Sequence, residues 1–202
     1  MPAAMIHLLT ARDYDPRGDA RYLLGSIAPD HAFDRAYKDA IHLRDVPDRP
    51  AALKALRSRL DLEDSYSLGW LLHLFTDLKW DTSFLADYRA AHEGEENWFR
   101  GYHKELHSAG YALYHRYDWA DKACSDILAV DLASLPTDMP GDPAQIEEFR
   151  TILMEKTRES DPAIHSDAFP AVVVEHFLWP SALCGHCRLS ITVSTPSVRI
   201  WP

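Results

Sequence analysis

The stretch Ser67-Leu-Gly-Trp-Leu-Leu-His-Leu-Phe-Thr-Asp-Leu-Lys-Trp-Asp81 decides the fold. It has no proline, a single glycine and a dense apolar pattern, which predicts a helix set into a core. His73 and Asp77 are four residues apart, so their side chains share one face, one turn apart. Trp70, Leu71, Leu72, Leu74, Phe75 and Leu78 surround them. An imidazole and a carboxylate inside a core need each other, or something both can hold. Neutral imidazole and carboxylate oxygen are both good ligands for a zinc-like ion. The plainer alternative is a His–Asp hydrogen bond within the helix.

Upstream, residues 3–13 predict a short helix carrying His7 among Met5, Ile6, Leu8 and Leu9, broken at Asp15-Pro16. A second short helix over 19–24 is expected to close on Gly25. Pro29 pushes Ala28 toward an extended shape, so Asp30 is delivered from a turn; it would otherwise cap a helix starting near His31. Phe33 to Arg44 reads as a charged helix with Lys38 and His42, ended by Pro47 and Pro50. Arg49 to Leu60 is amphipathic, with Leu53, Leu56 and Leu60 on one side.

Downstream, a helix is expected through Phe84, Leu85, Tyr88 and Ala91. Asn97 is placed to cap a long helix from Trp98 to about Arg116, which carries His103, Glu105, His107 and His115. Another helix runs to Leu128, a proline-rich loop covers 134–143, and helices follow over 144–158 and 164–178. Arg188 to Ser194 alternates like a strand. Cys184-Gly-His-Cys187 before it is half a zinc site or a redox pair. The fold class expected is all-α, a compact multi-helix bundle. Residues 1–180 form one all-helical metal-binding domain, and 181–202 a C-terminal tail.

The 202 residues suit one domain with a proper core. A net charge of -10 without any long basic run argues against a protein that coats nucleic acid. It leaves open a phosphoester held by a metal. No stretch predicts a membrane span, and the N-terminus does not read as a secretory signal. Three cysteines are too few for a disulfide framework, so a cytoplasmic location is expected. Eleven histidines are many for this length, and the reading turns on which of them converge.

His7, Asp30, His42, His73 and Asp77 supply three imidazoles and two carboxylates, all beside apolar neighbours. That is a ligand set for a zinc-type site with more than one ion if a carboxylate bridges. In order and setting the chain resembles the zinc-dependent phospholipase C family of bacteria, to which single-strand-specific nucleases are related by fold. The resemblance lies in the N-terminal His, Gly25-Ser-Ile-Ala-Pro-Asp30, Asp34-Arg35, Lys38-Asp39, His42 with Arg44, and Gly69-Trp-Leu-Leu-His-Leu-Phe-Thr-Asp77 with Trp80. It covers roughly residues 1–120 and is closest to leaderless, cytoplasmic-type members.

The resemblance implies an all-α fold with one to three zinc ions in a cleft between helices. Asp30, His42, His73 and Asp77 would hold one ion, and Asp77 would bridge to a second near His7. In secreted members the mature N-terminal amine joins that second ion; here removal of Met1 would expose the amine of Pro2, five residues before His7. Secreted members have another His soon after the Asp of the central helix, then a His-x-x-x-Glu pair for the remaining ion. Here Leu78 to Ser83 contains no His, and the long helix has His103-x-x-x-His107 with Glu105 between. Glu105 and His115 are the candidate replacements; ten residues apart, they are roughly 80° apart around a straight helix. The implied activity is a metal-dependent phosphoesterase with a metal-activated water, acting on a small-molecule or lipid phosphoester. Asp30 would orient that water or take its proton, and Lys38 and Arg44 would neutralise phosphate unless they lie on a solvated helix face. The alternative is a catalytically degenerate metal-binding protein that serves as a binding or assembly module.

Overall fold

The computed structural model describes residues 3–164. These form nine α-helices: α1 (Ala4–Tyr14), α2 (Ala20–Gly25), α3 (Arg35–Ile41), α4 (Arg49–Arg57), α5 (Ser65–Thr82), α6 (Phe84–Ala91), α7 (Trp98–Arg116), α8 (Ala120–Leu128) and α9 (Pro143–Arg158). Short 3-10 turns lie at Ala28–His31 and Leu132–Ser134, and the described residues contain no strand. The cysteine motif, the expected helix beyond residue 164, the strand-like segment and the Pro2 amine lie outside the described residues.

Aspartates open many of these helices. Asp19, Asp34, Asp48, Asp64 and Asp142 each accept a hydrogen bond from a first-turn backbone N–H. Each such cap is worth about 1 kcal/mol. Asn97 makes no side-chain cap on α7, contrary to expectation. Asp30 does not open a helix either; it sits inside the first 3-10 turn, and Asp34 caps the helix that follows.

Helix α5 is the centre of the bundle. It is buried on nearly every side, with Tyr66, Trp70, Leu71, Leu72, Leu74 and Trp80 in the core. Helices α1, α2 and α4 pack around it, α7 covers α1, and α8 covers α2. Helix α9 closes the far side against α8 and the 28–31 turn. Its buried Arg150 donates to the Ile127 and Val130 carbonyls, each at 2.8 Å, and pairs with Glu147. No helix among the described residues is long and apolar enough to cross a membrane.

Two glycines set how closely α2 approaches α5. A Cβ on Gly69 would stand 2.1 Å from the Tyr22 carbonyl oxygen, and one on Gly25 2.2 Å from that of Tyr66. Gly25 is therefore required by close backbone approach rather than by a left-handed helix end, since its φ is not positive. The same approach brings the Ser26 carbonyl to 2.8 Å from His73 Nδ1, whose N–H donates to it.

Helix α3 stops at Ile41, three residues earlier than the charge pattern suggests. The Leu43 N–H bonds the Ala40 carbonyl and the Arg44 N–H bonds that of Asp39, a Schellman closure. Leu43 takes the left-handed position at φ 55°, where glycine is usual. Such a conformation costs a branched residue about 1 kcal/mol or more. The closure turns His42 and Arg44 together toward α5.

Candidate metal centre

Five side chains from four segments meet beside α5. His7 comes from α1, Asp30 from the 3-10 turn, His42 from the end of α3, and His73 and Asp77 from α5 itself. His7, Asp30 and His73 form one group whose ligand atoms lie within 4.8 Å of one another; His42, His73 and Asp77 form another. His42, His73 and Asp77 are 0% exposed and His7 is 1% exposed. The five residues expected to converge do so.

The ring orientations are fixed from outside. The His73 Nδ1–H donates to the Ser26 carbonyl at 2.8 Å, and the His42 Nδ1–H to the Lys38 carbonyl at 2.7 Å. A carbonyl can only accept, so the proton of each neutral ring is on Nδ1 and each Nε2 presents a lone pair. Those two Nε2 atoms face each other at 3.1 Å. Two lone pairs this close repel unless a proton or a cation lies between them.

The spacing suits a cation. A tetrahedral zinc-type ion with bonds of about 2.0–2.1 Å separates its ligand atoms by about 3.3–3.4 Å. His42 Nε2 lies 3.1 Å from His73 Nε2, 3.5 Å from Asp30 Oδ1 and 3.6 Å from Asp77 Oδ2. Across the carboxylate, Asp77 Oδ1 is 3.5 Å from His7 Nε2. Neither nitrogen of buried His7 has a hydrogen-bond partner among the described residues, and neither does Asp77 Oδ1. Leaving such atoms unsatisfied costs about 1–3 kcal/mol each, a cost that a cation among them would offset. Since His73 has one free nitrogen, it can serve one ion; a second would rely on His7 and the other oxygen of Asp77.

Protonation states agree with a ligand role. Burial, with His7 adding to it, pushes the His73 imidazole down to about 3 against the pull of Asp77 and Asp30, so the ring is neutral at pH 7. Burial pushes the Asp77 carboxyl upward, but the His7 ring beside it and nearby His73 outweigh this and hold it below the ordinary carboxylate range. Burial also opposes ionisation of Asp30, yet His42, His73 and Lys38 together hold it well below that range. Two ionised carboxylates thus stand beside the neutral ring of His73.

The cationic residues are engaged with these acids. Lys38 Nζ lies 2.9 Å from Asp30 Oδ1. Arg44 Nη2 donates to Asp77 Oδ2 and to Asp81 Oδ2, each at 2.9 Å. Lys38 also lines an open cleft of about 350 Å³, with Asp30, Phe33, His103, Leu106 and Phe149. Arg44 does not line it. Phe33 is 66% exposed there.

Glu105 and His115, expected as further ligands, belong to neither group of the centre. Glu105 accepts from the Tyr88 hydroxyl at 3.0 Å, and His115 bonds Ser160. Their spacing on α7 was compatible with one cleft, but partners on α6 and beyond α9 hold each elsewhere. Two residues were missed. Asp81 continues the His73–Asp77 stripe by one more turn, a signal the sequence did carry. Arg49 had none: it reaches Asp81 at 2.7 Å only because α4 packs on α5.

No family model matches the chain, and neither does a curated protein or a solved structure, so the phospholipase C resemblance rests on the quoted residues alone.

Proposed function

We propose that the protein is a metal-dependent hydrolase of phosphoric esters, resembling zinc-dependent phospholipase C. One observation carries the reading: two buried Nε2 lone pairs, fixed by carbonyl acceptors, face each other at 3.1 Å beside two carboxylates. His42, His73, Asp30 and Asp77 Oδ2 would hold a zinc-type ion, and His7 with Asp77 Oδ1 is the place for a second. A bound zinc-type ion supplies Lewis acidity, which lowers the pKa of water at the site and polarises a phosphoryl oxygen.

The chain's own residues divide the remaining work. Asp30 is both in the ligand group and on the cleft wall. Its strongly lowered pKa makes it a poor base at pH 7, so it orients water rather than removing its proton. Lys38, beside it on the same wall, neutralises a phosphate entering from the cleft. The apolar wall formed by Phe33, Leu106 and Phe149 accommodates the organic part of a small-molecule or lipid ester. Arg44, committed to Asp77 and Asp81, is withdrawn from the substrate side.

The test is elemental analysis of the purified protein, followed by phosphodiesterase and phosphomonoesterase assays with zinc, manganese or nickel. The reading expects at least one equivalent of metal and turnover that His73→Ala and Asp77→Ala abolish. Metal without turnover would favour a second reading, a metal-binding module that catalyses nothing. The engagement of Glu105 and His115 away from the centre is the observation on its side.

A further inference from the structure

The two acids of α5 and two arginines from the chain before it form a closed network behind the metal centre. Arg44 reaches Asp81 Oδ2 with both Nε, at 3.2 Å, and Nη2, at 2.9 Å. The same Nη2 holds Asp77 Oδ2 at 2.9 Å. Arg49 donates through Nη1 to Asp81 Oδ2 at 2.7 Å and through Nε to the His42 carbonyl at 3.0 Å. Asp81 Oδ2 thereby receives three N–H groups from two guanidinium groups, and Asp77 is fully buried above it.

We infer that Arg44, Arg49 and Asp81 are positioning residues that present Asp77 to each ion through a single oxygen, Oδ2 on the His42 side and Oδ1 on the His7 side. This rests on the metal reading of the site. A carboxylate on a helix can rotate about its last bond and grip an ion with both oxygens. Arg44 prevents that by pinning Oδ2 in plane, which leaves Oδ1 turned toward His7 Nε2. Arg49 fixes the other side of the centre, because it ties the main chain of His42, whose ring is a ligand, to the same Asp81 hub. The strained Leu43 conformation belongs to this arrangement, since it turns His42 and Arg44 to the same carboxylate.

Charge alone does not account for the network. Arg44 and Arg49 balance Asp77 and Asp81, so the pairs add no net attraction for a divalent ion. What a guanidinium provides and an ammonium does not is a planar fork that fixes a carboxylate's orientation. The variants that separate the two effects are Arg44→Lys, which keeps the charge and loses the fork, and Asp81→Asn, which frees Arg44 without touching a ligand.

Cobalt(II) substitution reads the coordination directly, since its visible d–d absorption weakens as coordination number rises above four. In Arg44→Lys and in Asp81→Asn, Asp77 swings to a two-oxygen grip; the expected result is a roughly twofold loss of d–d intensity and on the order of a tenfold weaker cobalt affinity. Far-UV circular dichroism and the melting temperature of the metal-free variants check that both are folded. Wild-type spectrum and affinity in both folded variants would overturn the inference while leaving the metal reading intact. Wild-type protein that takes up no cobalt would overturn the metal reading, and the inference with it.

Discussion

Acidifying the metal-free protein tests whether the His73 imidazole is neutral. In the unfolded chain His73 binds a proton near its ordinary value of 6.5; in the folded chain it resists until about 3. The folded value is depressed, so the stability that depends on it is fully present above pH 6.5 and is lost as pH falls toward 3. At about 1.4 kcal/mol per pH unit, the 1.5 units between 6.5 and 5 cost about 2 kcal/mol. His31, also pushed down by burial, adds to the loss with the same sign. Asp30 and Asp77, held below their ordinary value, contribute stability that is lost only further down, as pH falls below 3.8. The assay is urea denaturation in chelator at pH 7.5, 6 and 5, on wild type and on His73→Leu. The wild-type free energy should drop by about 2 kcal/mol more than the variant's between pH 7.5 and 5. Equal slopes would mean that His73 titrates alike in the folded and unfolded chain, and a wild type that gains stability on acidification would mean that a proton bridges the two rings; either result would refute a neutral His73.

Gly69→Ala forces a Cβ to within 2.1 Å of the Tyr22 carbonyl, so α2 must move; the expected loss is about 1–3 kcal/mol or more by urea titration, with weaker metal binding because Ser26 leaves His73. Lys38→Met removes a positive charge 2.9 Å from Asp30, so zinc affinity measured by calorimetry should rise about tenfold while phosphoesterase turnover falls. Arg150→Met leaves the Ile127 and Val130 carbonyls without their donor and should cost about 2–4 kcal/mol in thermal or urea unfolding, with metal content unchanged.

Most helices could be read from the sequence because their ends are written locally. Aspartate caps at 19, 34, 48, 64 and 142 and prolines at 50 and 143 fix starts that tertiary packing does not override. Helix α3 is the exception: nothing in Ile41-His42-Leu43 announces a left-handed leucine, which only the pull of His42 and Arg44 toward α5 explains. The five converging residues were readable because each is a polar group in apolar company, a pattern that costs stability unless the group has a partner. Gly25 was read as a helix end because glycine serves both purposes, and a sequence does not say which backbone passes close by. Glu105 and His115 show the reverse: helical spacing limits which side chains can share a face but does not choose their partners. Arg49 was invisible for a related reason, since a guanidinium spans a distance that only the docking of α4 on α5 makes short.

The most direct measurement is X-ray absorption at the zinc K-edge of protein loaded with one equivalent of zinc. Four nitrogen and oxygen ligands at about 2.0 Å are predicted, with the multiple-scattering signature of at least two imidazoles, one of them lost in folded His73→Leu. A spectrum of zinc surrounded by oxygen alone, or one that His73→Leu leaves unchanged, would contradict a metal centre on α5.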